Sequence, residues 1–196
     1  MLEAGADGEG VLAADLGNDA AAGEALMVPN FGTAMDRIDH DMLDLRVMFD
    51  GREIFRRAVK GMTRSGVAVL SEIDCGVADV DLMIPHQANG RIIDAAGHRL
   101  GLPAEKVYVN VDRFGNTSAA SVPIALSEAI EQGRVAPGDL ILFTAFGAGL
   151  SRAAAAMRWG PRAKPLAQSG DELTPCEQSG LDLIRRNAEA MRARMK

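Results

Sequence analysis

The sequence predicts an α/β fold, a mostly parallel sheet with helices packed on it, and three observations carry that prediction. Strand-like and helix-like patterns alternate along the middle of the chain, as they do where helical crossovers join neighbouring strands. The apolar runs at residues 81–85 and 139–146 are short and bounded by turn residues, as buried strands are. Hydrophobic residues make up 47% of the 196 positions but aromatics only 4%, and 21 glycines accompany abundant alanine, a composition suited to close helix–sheet packing.

The elements follow in chain order. Residues 10–16 (Gly-Val-Leu-Ala-Ala-Asp-Leu) read as a short strand, with a Gly/Ala/Asn/Asp-rich loop behind it and turn residues Pro29, Asn30 and Gly32 beyond. Residues 51–74 read as a helix, because Ile54, Phe55, Ala58, Val59, Met62, Gly66, Val69, Leu70 and Ile73 recur near a 3.6-residue period. Arg52, Arg56, Lys60 and Arg64 step by four along the same helix as a basic stripe, whose ordinary reading is a solvated face. Residues 81–85 form a buried strand closed by proline, and His86 follows at once. A helix through Arg91, Ile92, Ile93 and Leu100 then ends at Gly101.

Residues 106–111 (Lys-Val-Tyr-Val-Asn-Val) read as another strand, rich in β-branched residues. A loop over 112–117 leads to a helix from about 118 to 132, with Pro123 tolerable only near its start. Residues 139–146 are an apolar strand, Gly147-Ala-Gly149 a turn, and a last strand, antiparallel to the one before, runs through Met157 and Trp159. His86, Asn116 and the glycine turn all fall just past strand ends, where ligands bind on such sheets, so they are expected to converge on one crevice. Pro161, Pro165, Gly170 and Pro175 mark a linker, and Thr174-Pro-Cys-Glu177 has capping-box spacing ahead of a helix with apolar Leu181, Ile184, Ala188, Met191 and Met195.

Composition excludes several classes of function. A net charge of −6 and few aromatics argue against nucleic-acid binding. The first 36 residues hold seven acids and no Lys or Arg, so no basic start of a secretory signal is present, and the longest uncharged apolar stretch, residues 140–150, is too short to span a bilayer. Cys75 and Cys176 lie far apart and suit a reducing cytoplasm better than a disulfide scaffold. His40, His86 and His98 have no metal-ligand spacing with one another or with the cysteines, so neither a metal nor a cofactor is expected.

Three motifs carry a resemblance. Residues 83–92 (Met-Ile-Pro-His-Gln-Ala-Asn-Gly-Arg-Ile) resemble the histidine motif of β-ketoacyl-acyl-carrier-protein synthase III, residues 112–121 (Asp-Arg-Phe-Gly-Asn-Thr-Ser-Ala-Ala-Ser) resemble its asparagine motif, and Phe146-Gly-Ala-Gly149 resembles its glycine turn. The 30 positions from His86 to Asn116 also fit that family, and the resemblance runs over residues 1–159. It implies a thiolase-like fold, of which this chain holds the C-terminal half, incomplete without the N-terminal half. Residues 1–50 would then be the connecting region and the end of the missing half, with 2–4 closing its last strand. Residues 51–159 would be the C-terminal domain, and 160–196 a linker and amphipathic helix. The family's nucleophilic cysteine belongs to the missing half, and neither Cys75 nor Cys176 sits in a comparable motif.

The implied reaction is a decarboxylative Claisen condensation between an acyl-CoA primer and malonyl-acyl-carrier protein, in fatty acid or polyketide-like biosynthesis. By resemblance, His86 and Asn116 stabilise the negative charge left on the malonyl thioester oxygen as CO₂ departs, each such donor being worth roughly 3–4 kcal/mol. The backbone N–H of Ala148 would serve a second oxyanion hole. Carrier-protein docking falls to Gln87, Ala88, Asn89, Gly90 and Arg91, with Arg56 and Arg99 where the family carries basic residues and His98 replacing one more. Arg152 stands where the family often has Trp, so its guanidinium alters the acyl pocket, meets an acidic primer or points away from the site. The family's asparagine motif separates the chain from elongating synthases, with their two histidines, and from thiolases, with their second cysteine.

Three readings follow. One is a half-enzyme that needs a cysteine-bearing half in trans. Another is a non-catalytic subunit that binds a carrier protein or a full-length ketosynthase, and the third is a truncated gene product. Retention of His86 and Asn116 favours the first and third. In each case the isolated chain is expected to oligomerise or aggregate through uncovered apolar faces, and to lack condensation activity on its own.

Overall fold

The alternation expected from residue 10 onward becomes β1 (Gly10–Asn18), longer than the run that predicted it and flanked by a short 3-10 turn. The computed structural model describes residues 7–29, 46–161 and 177–194. Residues 2–4, Asn30, Gly32, His40, Cys176, Met195 and most of the expected linker and capping box lie outside the described residues. Two short strands, β2 (Leu26–Met27) and β3 (Met48–Phe49), pair antiparallel as a separate ribbon.

Helix α1 (Gly51–Glu72) starts where Asp50 accepts hydrogen bonds from the Arg52 and Glu53 N–H groups at 3.1 and 3.0 Å. Its buried residues include Ile54, Ala58, Val59, Met62, Gly66, Val69 and Leu70 from the predicted stripe, while Arg52, Arg56, Lys60 and Arg64 are exposed on its other faces. Strand β4 (Leu82–Pro85) is buried throughout. Helix α2 (Gly90–Leu100) ends at Gly101, whose φ of +83° is open to glycine at little cost.

The strand expected over residues 106–111 is a single parallel bridge, Met83 to Val107. The short helix α3 (Val111–Phe114) begins where that strand would end. The reason is tertiary: the Asn110 and Val111 N–H groups bond to the Gln87 side chain instead of a neighbouring strand. Helix α4 (Ser121–Glu131) follows a 3-10 turn and carries Pro123 in its first turn, where no intrahelical donor is needed. Strands β5 (Leu140–Gly147) and β6 (Ser151–Arg158) form an antiparallel hairpin across the glycine turn.

The strand order is β1-β6-β5-β4. β4 and β5 run parallel, with Leu82 opposite Ile141 and Pro85 opposite Thr144, while β6 is antiparallel to both its neighbours. Side chains alternate through this sheet, as its two-residue period requires. Met83, Leu140, Leu142, Ala154 and Ala156 face α1 and α2, where they meet Met62, Val69, Leu70, Ala96 and Leu100. Leu82, Ile84 and Ile141 face α4 and meet Ala125 and Ala129. Helices therefore cover the sheet on two sides and leave the carboxyl ends of β4 and β5 open between them. Small residues set the approach: a Cβ on Gly97 of α2 would lie 2.8 Å from Val107 Cγ2.

The chain divides into two compact units, residues 1–164 and 165–196. In the second, helix α5 (Gly180–Arg194) is capped by Ser179, whose Oγ accepts from the Asp182 N–H at 3.2 Å and donates to its carboxylate at 2.6 Å.

Candidate active site

Strand β4 ends at Pro85, and the next residue is held by its neighbour strand. The His86 N–H donates to the Thr144 carbonyl of β5 at 2.7 Å, which fixes His86 at the carboxyl end of the sheet. Its ring is half-buried, with Nδ1 2.6 Å from the Ser121 hydroxyl at the start of α4. Burial lowers the imidazole pKa from its ordinary 6.5 and so favours the neutral ring.

Asn116 follows α3 through Gly115, whose φ is +66°. The Asn116 carbonyl Oδ1 accepts the Ser118 N–H at 2.9 Å. That bond orients the amide by its oxygen and leaves its NH₂ as the outward group. Ala148 stands in the turn between β5 and β6 and is exposed.

Two cavities meet at this point. One, of about 860 Å³, is lined by His86, Asn116, Ala148, Arg52, Arg91 and Asn89, among others. The second, of about 750 Å³, is lined mainly by apolar groups, including Leu16, Ala119, Val122, Ala145 and Ala153. His86, Ser118, Phe146 and Gly147 line both and form the wall between them. The structure thus brings His86, Asn116 and Ala148 to a single cavity.

The residues expected to dock a carrier protein separate into different positions. Gln87 is 1% exposed, and its amide is saturated. Nε2 donates to the carbonyls of Pro85 and Tyr108 at 2.9 and 3.1 Å, and Oε1 accepts from Asn110 and Val111 N–H at 2.9 and 3.2 Å. Its side chain has no face for a partner, which corrects the docking assignment; Gln87 instead ties β4 to the loop ahead of α3. Asn89 caps α2 by accepting the Arg91 N–H at 2.9 Å. Gly90 is the first residue of α2, and Ala88 is half-buried beside the cavity. Arg91 is exposed at the cavity, with its guanidinium 6.0 Å from the Phe55 ring. Arg56 is exposed but forks onto Glu53 at 2.8 and 3.0 Å, and Glu53 also takes Arg57. Arg99 and His98 are exposed in the last turn of α2.

Arg152 lines the apolar cavity, yet its guanidinium is engaged by Asp15 of β1 and by Ser65 of α1, the latter at 2.7 Å. The Ser65 hydroxyl donates to Asp15 at 2.6 Å, and this bond, with Arg152, holds the carboxyl below its ordinary range. The acidic partner was invisible in the sequence because it lies 137 positions away. Sequence reasoning also missed Ser121, although it closes the asparagine motif. Cys75 follows α1, packs against the core on that side of the sheet, and lines neither cavity. Among the described residues no cluster of three or more His, Cys, Asp or Glu could hold a metal ion, and no helix is long and apolar enough to cross a membrane.

Residues 70–159 match the family described as 3-oxoacyl-[acyl-carrier-protein (ACP)] synthase III C terminal. Over 180 residues the chain is 46% identical to β-ketoacyl-[acyl-carrier-protein] synthase III 2 of Vibrio cholerae, covering 92% of this chain and 50% of that protein. The chain belongs to the β-ketoacyl-acyl-carrier-protein synthase III family. Within that family, the synthase III of Symbiobacterium thermophilum is 44% identical over 162 residues, covering 82% of this chain and 49% of its own length. The crystal structure of the Thermus thermophilus synthase III superposes with a TM-score of 0.72 at 41% identity, covering 81% of this chain and 49% of that one. The priming β-ketosynthase of the R1128 polyketide pathway superposes at 0.70 with 33% identity, covering 80% of this chain and 47% of that one. The fold is thiolase-like, and the chain spans about half the length of the curated relatives it matches.

Proposed function

We propose that this chain supplies the His/Asn half of a decarboxylating ketosynthase III site, with the nucleophilic cysteine and the rest of the acyl pocket coming from a second half. The observation that carries the reading is the cavity shared by His86, Asn116 and Ala148 at the open carboxyl ends of β4 and β5. A malonyl thioester on its carrier protein enters beside Arg91. Its C–C bond to the carboxylate breaks, CO₂ leaves, and the electron pair passes into an enolate whose oxygen takes hydrogen bonds from the His86 ring N–H and the Asn116 NH₂. A neutral imidazole and an amide suit this work because both donate without surrendering a proton. The enolate carbon then attacks the acyl group on the partner's cysteine, and the thiolate departs. The N–H of Ala148 would stabilise the oxyanion of that second step.

The carrier protein's acidic surface meets Arg91 and Arg99, whose charges face solvent, while Arg56 is half-neutralised by Glu53. The position of Cys75 away from both cavities favours one further reading, a binding subunit that docks a carrier protein without chemistry. Reconstitution separates the two. The chain is mixed with a cysteine-bearing N-terminal half of a synthase III, and product is followed from acetyl-CoA and malonyl-carrier protein. Condensation that needs both pieces, and that falls about 100- to 1,000-fold in His86→Ala or Asn116→Ala, supports catalysis. Arg91→Glu should raise KM for the carrier protein with kcat unchanged. Condensation by this chain alone, or full activity in the His86 and Asn116 variants, would overturn the proposal.

A further inference from the structure

Among the groups around the cavity, Ser121 has a position that the chemistry above does not use. It is 1% exposed, and it sits in the first turn of α4 rather than on the strand that carries His86. Its Oγ makes two polar contacts: the Gln87 backbone N–H donates to it at 3.1 Å, and the His86 Nδ1 lies 2.6 Å away. A hydroxyl has one proton to give and two lone pairs to receive with. The Gln87 N–H occupies one lone pair. The hydroxyl proton then needs an acceptor, and a buried, unmet O–H is costly. Among the described residues, the hydrogen bonds of this serine offer it one acceptor, Nδ1.

We propose that Ser121 is a positioning residue that donates its O–H to Nδ1 of His86 and so places the ring proton on Nε2. A neutral imidazole carries one N–H, and the hydrogen bond at one nitrogen decides which nitrogen holds it. The two contacts also act together. The Gln87 N–H holds one lone pair of the serine oxygen, and Gln87 is itself fixed by its four side-chain bonds, so the serine proton is left to the side that Nδ1 occupies. With the proton on Nε2, the half-exposed part of the ring presents a donor. With the proton on Nδ1, it would present a lone pair and repel a developing oxyanion. The purpose of this arrangement rests on the function proposed above, but its existence does not.

The test is the tautomer, read by ¹⁵N–¹H NMR on the full chain with ¹⁵N-labelled histidine. The chain has three histidines, so replacing His40 and His98 in turn assigns the signals. At a pH above the ring's titration, the expected result is an unprotonated Nδ1 and a protonated Nε2 for His86. Ser121→Ala should shift it to a mixture of tautomers, and Ser121→Thr should restore the single form. If the alanine variant does not fold, Ser121→Cys, close in size and a weaker donor, should give a partial shift. A protonated Nδ1 in the unmodified chain, or an unchanged tautomer in a folded alanine variant, would overturn the proposal. A protonated Nε2 in a chain that shows no condensation with any N-terminal half would sink the functional reading and uphold the role of the serine.

Discussion

Gln87→Ala separates a docking residue from a framework residue. The amide, itself 1% exposed, uses both its N–H groups and both its acceptor positions on four backbone groups. At about 1 kcal/mol net for each hydrogen bond, the loss is about 4 kcal/mol. The vacated space adds to it, and water entering the space offsets part of it. A net destabilisation of about 3–5 kcal/mol is a large share of the roughly 5–15 kcal/mol that holds a domain together. In a chain of this size it lowers Tm by roughly 6–20 °C. Urea unfolding at pH 7, with the slope unchanged and the midpoint reduced, measures it. Gln87→Glu gives a sharper reading. The carboxylate still accepts from Asn110 and Val111 but opposes the carbonyls of Pro85 and Tyr108, so it should also destabilise despite its near-identical shape. A loss within about 0.5 kcal/mol in both variants would refute the reasoning and return Gln87 to the surface role that the motif suggested.

The remaining predictions concern packing and charge. Gly97→Ala puts a methyl 2.8 Å from Val107 Cγ2, and a β-branched valine has little room to turn, so thermal melts should show a loss of about 1–2 kcal/mol despite the helix preference for alanine. Arg152→Ala removes the partner of Asp15 and Ser65; because the site is partly exposed, the expected cost is about 1–2 kcal/mol, and Asp15→Asn in the same background should add little. Stability should fall in two steps on acidification. Below pH 6.5 the unfolded chain takes up a proton that burial denies His86, so stability declines until the folded ring protonates as well. Arg56 holds Glu53 down, and Arg113 holds Glu128 down, each to about 2 from 4.5, so the stability these carboxylates give above pH 4.5 is lost between there and about pH 2. Glu128→Gln should flatten the acid step and leave the first unchanged, and Tm across a pH series would show it.

His86 and the glycine turn could be read from the sequence because they lie just past strand ends, whereas Asn116 follows the short helix α3 and not the strand expected ahead of it. A short apolar run followed by Pro-His needs little tertiary information to place the histidine at the end of β4. The 3.6-residue stripe over α1 gave the buried face nearly residue by residue. The failures share a cause. Residues 106–111 have strand propensity, but the Asn110 and Val111 N–H groups that a ladder would use are taken by the side chain of a glutamine over 20 positions away. Gln87 itself looked like a docking residue because motif position does not reveal burial. The Asp15–Ser65–Arg152 cluster joins three elements distant in sequence. Ser121 was visible as a residue type, but only the packing of α4 beside the end of β4 brings its hydroxyl to the imidazole.

The account depends on His86 and Asn116 addressing one oxygen. The direct measurement is a crystal structure of this chain, completed by a cysteine-bearing N-terminal half, with a non-cleavable malonyl thioester analogue bound. The account predicts the carbonyl oxygen about 2.7–3.1 Å from both His86 Nε2 and Asn116 Nδ2. An analogue bound productively next to the cysteine, with that oxygen out of hydrogen-bonding reach of either group, would contradict it.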